Sequence, residues 1–213
     1  MPANEKSEPR SLTARGAATR ARIVEAAANL IYAHGVERTS LDDVMAASGV
    51  SKSQLYHYFA DKDALVLEVI ARQTERILDA QRPHLEALDS LSALKTWRDA
   101  FVRLNKAADY GGCPLGSLAS ELASDSEPAR KRLAGSFSIW RDRIENGLAK
   151  MQQRGELGAT ADPRELALAL LSAVEGGLLL SKTTRSGRPL EIALDMAIDH
   201  VARQTTRIQT DTE

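Results

Sequence analysis

Two helix starts lie eleven residues apart in the N-terminal third of the chain, with a glycine between them, and nothing else in the sequence restricts the local fold as much. Ser40 is followed three residues later by Asp43, and Ser51 three residues later by Gln54. In such a pair the serine hydroxyl accepts from a first-turn N–H while the acid or amide reaches back to the serine N–H. Two donors without helical partners are thereby satisfied. The helix opened by Ser40 has to end before Ser51, and Gly49 supplies the left-handed residue that ends it. Val50, apolar and just ahead of the second cap, is placed to staple the turn to a core. A helix, a short turn and a second helix follow within residues 40 to 59.

Helical periodicity extends this unit in both directions. Ile23, Ala26, Ala27, Leu30 and Ile31 predict a preceding helix of about four turns that closes at His34 and Gly35. A fourth helix opens at Asp61 and carries Leu65, Val69, Ile77 and Leu78, with Pro83 expected to break or kink it. Further helices are expected along Leu94–Leu104, from Pro128 to Gly155, from Asp162 to about Lys182, and from Pro189 through Val201. No run alternates with strand period and no segment repeats. The expected fold class is all-α: a flexible arm over 1–14, a three-helix helix-turn-helix domain over 15–63, a larger helical domain over 64–206 and a flexible tail over 207–213.

Composition narrows the function. A net charge of -1 gives no overall bias toward nucleic acid, so any basic surface has to be local. The lone cysteine, Cys113, excludes an internal disulfide framework and a multi-cysteine metal site, and suits a reducing, cytoplasmic setting. No cofactor and no metal are expected. The N-terminal segment lacks an apolar signal core, and the most apolar stretch, Leu166 to Leu180, falls short of the roughly 20 residues that span a bilayer. Neither a signal sequence nor membrane insertion is expected.

The helix opened by Ser51 presents Lys52, Ser53 and Gln54 on its first turn, followed by Tyr56 and His57. Leu55 and Phe59 share the opposite side and face the domain core with Leu41, Val44 and Met45. A polar and aromatic face is left for a partner. It fits the major groove of double-stranded DNA, where Gln pairs with adenine and Lys with guanine acceptors, and where Tyr56, His57 and Tyr58 suit phosphates and thymine methyls. Phosphate contacts are expected from Thr39, from Lys62, and from Arg10, Arg15 and Arg20 in or near the N-terminal arm.

The run TSLDDVMAASGVSKSQLYHYFADKDALVLEVI, from Thr39 to Ile70, resembles the DNA-binding domain of the tetracycline-repressor (TetR) family. Thr39, Val44, Gly49, Val50, Ser51, Leu55, Tyr56, Tyr58, Phe59, Lys62 and Leu65 match the family pattern. Met45 departs from the usual alanine, and Ser53 from the usual glycine or other small residue. Ser53 and Gln54 stand where operator preference is set, so the operator does not carry over from relatives. The resemblance covers roughly residues 15 to 80. It implies a homodimeric repressor with a helical C-terminal ligand-binding and dimerisation domain, released from operator DNA by a small-molecule inducer.

The C-terminal half offers three further readings. Trp97, Phe101, Leu104, Cys113, Leu118, Phe137, Trp140 and Ile144 line an expected pocket for an apolar or aromatic inducer, although the same residues would equally fill a core. The segment YGGCPLGSLASEL, Tyr110 to Leu122, resembles a stretch found in some TetR-like regulators, and Cys113 within it is an electrophile or redox sensor if its thiol is accessible, or a small buried hydrophobe otherwise. The helix from Asp162 is apolar on more than one face, which predicts a two-fold interface through Leu171, Val174, Leu178 and Leu179 with Leu194 and Ile198 of the last helix, or else a central core helix.

An enzyme is not expected. His34, His57, His84 and His200 are scattered without ligand spacing, and no phosphate loop or nucleophile elbow is present. A helical scaffold or ligand-binding protein without DNA function is the remaining alternative; it would lack the steep salt dependence of phosphate binding.

Overall fold

A computed structural model describes residues 12–206, which contain nine helices and no strands. Arg10, most of the expected N-terminal arm and the expected tail at 207–213 lie outside the described residues. The chain divides into two compact units between Arg72 and Gln73.

The first unit holds α1 (Ala14–His34), α2 (Leu41–Ser48), α3 (Lys52–Tyr58) and the start of α4 (Lys62–Glu86). Thr13 caps α1 and Gly35, at φ 86°, closes it with its N–H on the Ile31 carbonyl. Both capping boxes form. Asp43 N–H donates to Ser40 Oγ at 3.1 Å and Ser40 N–H to Asp43 Oδ2 at 2.9 Å, and these Ser40 hydrogen bonds, the hydroxyl's first, hold the Asp43 carboxyl below its usual range. At α3, Gln54 N–H donates to Ser51 Oγ at 3.2 Å and Ser51 N–H to Gln54 Oε1 at 2.9 Å. Gly49 takes the left-handed conformation, φ 65° and ψ 33°, and turns the chain between them.

Burial fixes the relative placement of these helices. Ile23, Ala27 and Ile31 of α1 are buried together with Val44, Val50, Leu55, Phe59, Leu65 and Val69. Each large apolar side chain removed from water contributes about 1.5–3 kcal/mol. Arg22 Nε donates to the Ser48 carbonyl at 2.8 Å and so holds α1 to the last carbonyls of α2. The half-exposed Arg20–Glu68 and Arg72–Glu25 ion pairs, both 2.8 Å, add at most about 1 kcal/mol each and serve mainly to fix register.

The second unit holds the rest of α4 with α5 (Leu91–Ala107), α6 (Pro114–Leu122), α7 (Glu127–Gln153), α8 (Pro163–Thr184) and α9 (Arg188–Arg203). Ser90, Ser126 and Asp162 cap α5, α7 and α8 with side-chain oxygens, and prolines occupy the first turns of α6 to α9. Two glycines allow the closest approaches. Gly147 of α7 faces the Leu88 backbone, and Gly177 of α8 faces Leu190 of α9, whose Cα would lie 2.8 Å from an added Cβ.

Two expectations are corrected here. Pro83 does not end α4, which runs on to Glu86. Proline removes only one N–H, and the flanking turns are held by buried Leu85 and by buried Gln81, whose amide donates to the Ile77 carbonyl at 3.0 Å. The proposed interface residues Leu171, Val174, Leu178, Leu194 and Ile198 are all at most 5% exposed within a single chain, because α8 packs against both α7 and α9. Only Leu179, at 64%, faces outward. Alone among the described helices, α8 is long and apolar enough to cross a membrane, yet Leu166, Leu170, Val174 and Leu178 along it are buried in the unit's own core.

Candidate nucleic-acid interface and effector region

In the first unit, α3 carries the polar face that its sequence implies. Leu55 and Phe59, 0% and 2% exposed, anchor one side, while Ser51, Lys52, Ser53, Gln54, Tyr56 and His57 lie exposed. Tyr58 is half-buried, with its ring edge-on to His57 at 4.9 Å. A seven-residue helix would be marginal alone, and it is held by its capping box and by those two anchors.

Three residues expected at phosphates make contacts inside the unit. Thr39 is 3% exposed and its hydroxyl donates to the Gly35 carbonyl at 2.8 Å, closing the turn between α1 and α2. Lys62 Nζ donates to the Val36 carbonyl at 2.6 Å. Arg20 pairs with Glu68 and lies over the Phe59 ring at 5.3 Å from its centroid. Arg15, in the first turns of α1, is exposed. The sequence shows these cations and hydroxyls, but their partners lie on other elements and are set by tertiary packing.

In the second unit, the aromatic set of the expected pocket packs on itself. Trp97 and Phe101 stack at 5.8 Å, Phe101 meets Trp140 edge-on at 6.1 Å, and Trp97 Nε1 donates to Gln81 Oε1 at 3.0 Å. Ile144 and Leu118 are buried, Phe137 is half-buried, and Leu104 is 41% exposed. Trp140 Nε1 and Asn105 Nδ2 are buried without a hydrogen-bond partner.

Cys113 belongs to a different place. It is buried and, with Gly112, Gly116, Glu175, Leu179 and Lys182, borders an open cleft of about 740 Å³ between α6 and α8. Burial pushes its thiol up, and the nearby Glu175 charge adds to the shift, so the thiol is kept protonated rather than poised as a nucleophile. Desolvation likewise raises Glu175 above the usual carboxylate range. Sequence reasoning passed over Glu175 and Lys182. The signal was there, in an acid interrupting an otherwise apolar helix, since glutamate is seldom buried without a purpose.

An N-terminal helix-turn-helix unit with an exposed polar recognition helix, followed by a separate all-helical unit, defines a DNA-reading regulator of the two-unit helical class. Residues 23–69 match the bacterial regulatory proteins of the tetR family, and residues 88–197 match the tetracyclin repressor-like C-terminal domain. The regulator YxaF of Bacillus subtilis is 30% identical, with 84% of this chain and 92% of YxaF covered. The repressor DhaR of Mycobacterium sp. strain GP1 is 24% identical over 90% of this chain and 96% of DhaR. A TetR transcriptional regulator from Chloroflexus aurantiacus superposes with a TM-score of 0.76 and 26% identity, covering 91% and 98% of the two chains. The chain belongs to the tetR family of bacterial regulatory proteins. It is a helix-turn-helix transcriptional regulator, and the relatives it matches are named as regulators, in a family that is not enzymatic.

Proposed function

We propose that this protein is a cytoplasmic repressor that grips operator DNA as a homodimer and lets go when a small molecule occupies its second unit. The observation that carries this reading is the exposed Lys52–His57 face of α3 standing over buried Leu55 and Phe59. The name of DhaR, a transcriptional repressor, supports the direction of control. In this reading Lys52, Ser53, Gln54, Tyr56 and His57 meet the major groove, Ser51 and Arg15 meet phosphates, and Thr39, Tyr58 and Lys62 hold the face in place.

The test is a fluorescence-anisotropy titration against duplex DNA from the protein's own upstream region, at several salt concentrations, with unrelated duplex as control. Tyr56→Ala is expected to weaken operator binding by about 1–3 kcal/mol with helicity unchanged. Lys52→Ala is expected to weaken it and to flatten the salt slope by about one unit. Unchanged affinity and slope in both variants would move the reading face away from α3.

In this reading the second copy packs against the outer surfaces of α8 and α9. Leu168, Leu180, Ile192 and Met196 are 54%, 54%, 43% and 67% exposed there, an apolar set that a lone chain leaves in water. Met196→Glu combined with Leu168→Glu is expected to give monomers in sedimentation velocity, because dimerisation would bury unpaired charge. A double variant that still sediments as a dimer would place the interface elsewhere.

A further inference from the structure

We infer that the cleft between α6 and α8 is a binding site for an elongated bipolar molecule, one that carries an ammonium group at one end and a carboxylate at the other. The inference deepens the effector reading above, and it stands on the way Gly112 before α6 and Gly116 within it seat two charged side chains of α8.

Glu175 is the first of these. Its Oε2 occupies the space over Gly116, where an added Cβ would come within 2.7 Å of it, so a side chain there would oblige the carboxylate to move. Its Oε1 is buried with no partner. A carboxylate oxygen desolvated and unpaired is costly, and a ligand N–H would relieve it. An ammonium does so most fully, since it donates and neutralises together.

Lys182 is the second. Its stem lies along Gly112, whose φ of 81° and lack of a Cβ both matter, because an added Cβ would stand 2.9 Å from the Lys182 Cδ. Among the described residues its ammonium joins no ion pair, and the side chain is exposed at the cleft. Seven residues separate Glu175 from Lys182 on α8. At 1.5 Å per residue and 100° per step they share one face roughly 10 Å apart. Leu179, 64% exposed, lies between them and offers an apolar floor. Along α8 an acid, an apolar floor and a base in that order are the complement of a zwitterion with an aliphatic body, Glu121 of α6 being a second acid in the lining, and the cleft volume falls in the range of small-molecule sites.

Calorimetric titration of the full chain without DNA tests this, with aminooctanoate as probe and octanoate, octylamine and the short aminobutanoate as comparisons. Aminooctanoate is expected to bind about tenfold or more tightly than any of the three, since each lacks one charged end or the reach. Glu175→Gln should remove the advantage conferred by the ammonium, and Lys182→Gln the advantage conferred by the carboxylate. Gly116→Ala, which displaces the Glu175 carboxylate without removing it, should behave like Glu175→Gln, with circular dichroism confirming that each variant is folded. No binding, equal binding of all four compounds, or an unchanged ranking in the variants would overturn the site. Operator release is read separately by anisotropy. Binding with the expected ranking but without release would uphold the cleft as a site and count against the effector reading alone.

Discussion

Gly147→Ala is expected to lower the stability of the second unit by more than about 3 kcal/mol, which is a drop of roughly 10 °C in melting temperature for a unit of this size. The added methyl would stand 1.8 Å from the Leu88 carbonyl oxygen and 2.7 Å from its carbonyl carbon. Backbone atoms cannot rotate away as a side chain would. Either α7 withdraws from the segment between α4 and α5, or that segment shifts and uncovers Leu88, which is fully buried. Gly135 on the same helix provides the contrast, because nothing lies within 4 Å of its added Cβ. There, exchange for alanine should stabilise by up to about 1 kcal/mol through helix propensity alone. Thermal unfolding followed by circular dichroism reads both, and a Gly147→Ala protein that melts with the wild type would refute the contact.

Trp97→Ala should cost about 3–5 kcal/mol in urea unfolding. The indole is fully buried, stacks on Phe101 and donates to Gln81, so truncation leaves a cavity and also strips a buried amide oxygen of its donor. Trp97→Phe separates the two effects. It retains most of the packing and should lose about 1–3 kcal/mol for the unpaired Gln81 oxygen. Equal losses in the two variants would mean that the hydrogen bond, and not the volume, dominates.

The helix-turn-helix was legible because its determinants are local. Ser40 with Asp43, Ser51 with Gln54, and Gly49 between them each act within a few residues, and each does in the fold what its spacing implies. Local patterns said least wherever a partner was distant. Lys62, expected at a phosphate, also donates to a carbonyl 26 residues away, a contact that no spacing rule reports. Periodicity showed that α8 is apolar on several sides without showing which side its own chain covers, so it left open a two-fold interface or a central core helix, and Leu171, Val174 and Leu178 are buried within the chain. Trp97, Phe101 and Trp140 could be read as pocket walls or as core, and spacing alone did not report that their rings pack on one another. The cleft at Cys113 depends on glycines yielding to side chains from another helix, and no spacing rule reports that.

The capping box of α3 also bears on which base Gln54 can read. Its carbonyl oxygen is turned back to accept from the Ser51 N–H at 2.9 Å, while the amide NH₂ makes no hydrogen bond among the described residues. A glutamine held this way offers donors to a base edge, whereas the two-pronged reading of adenine requires an acceptor as well. While the cap persists, acceptor-bearing edges such as guanine N7 and O6 or thymine O4 match this position better than the amino group of cytosine. Under the proposed reading of DNA by α3, the interaction that starts the helix would therefore also narrow the bases that Gln54 accepts.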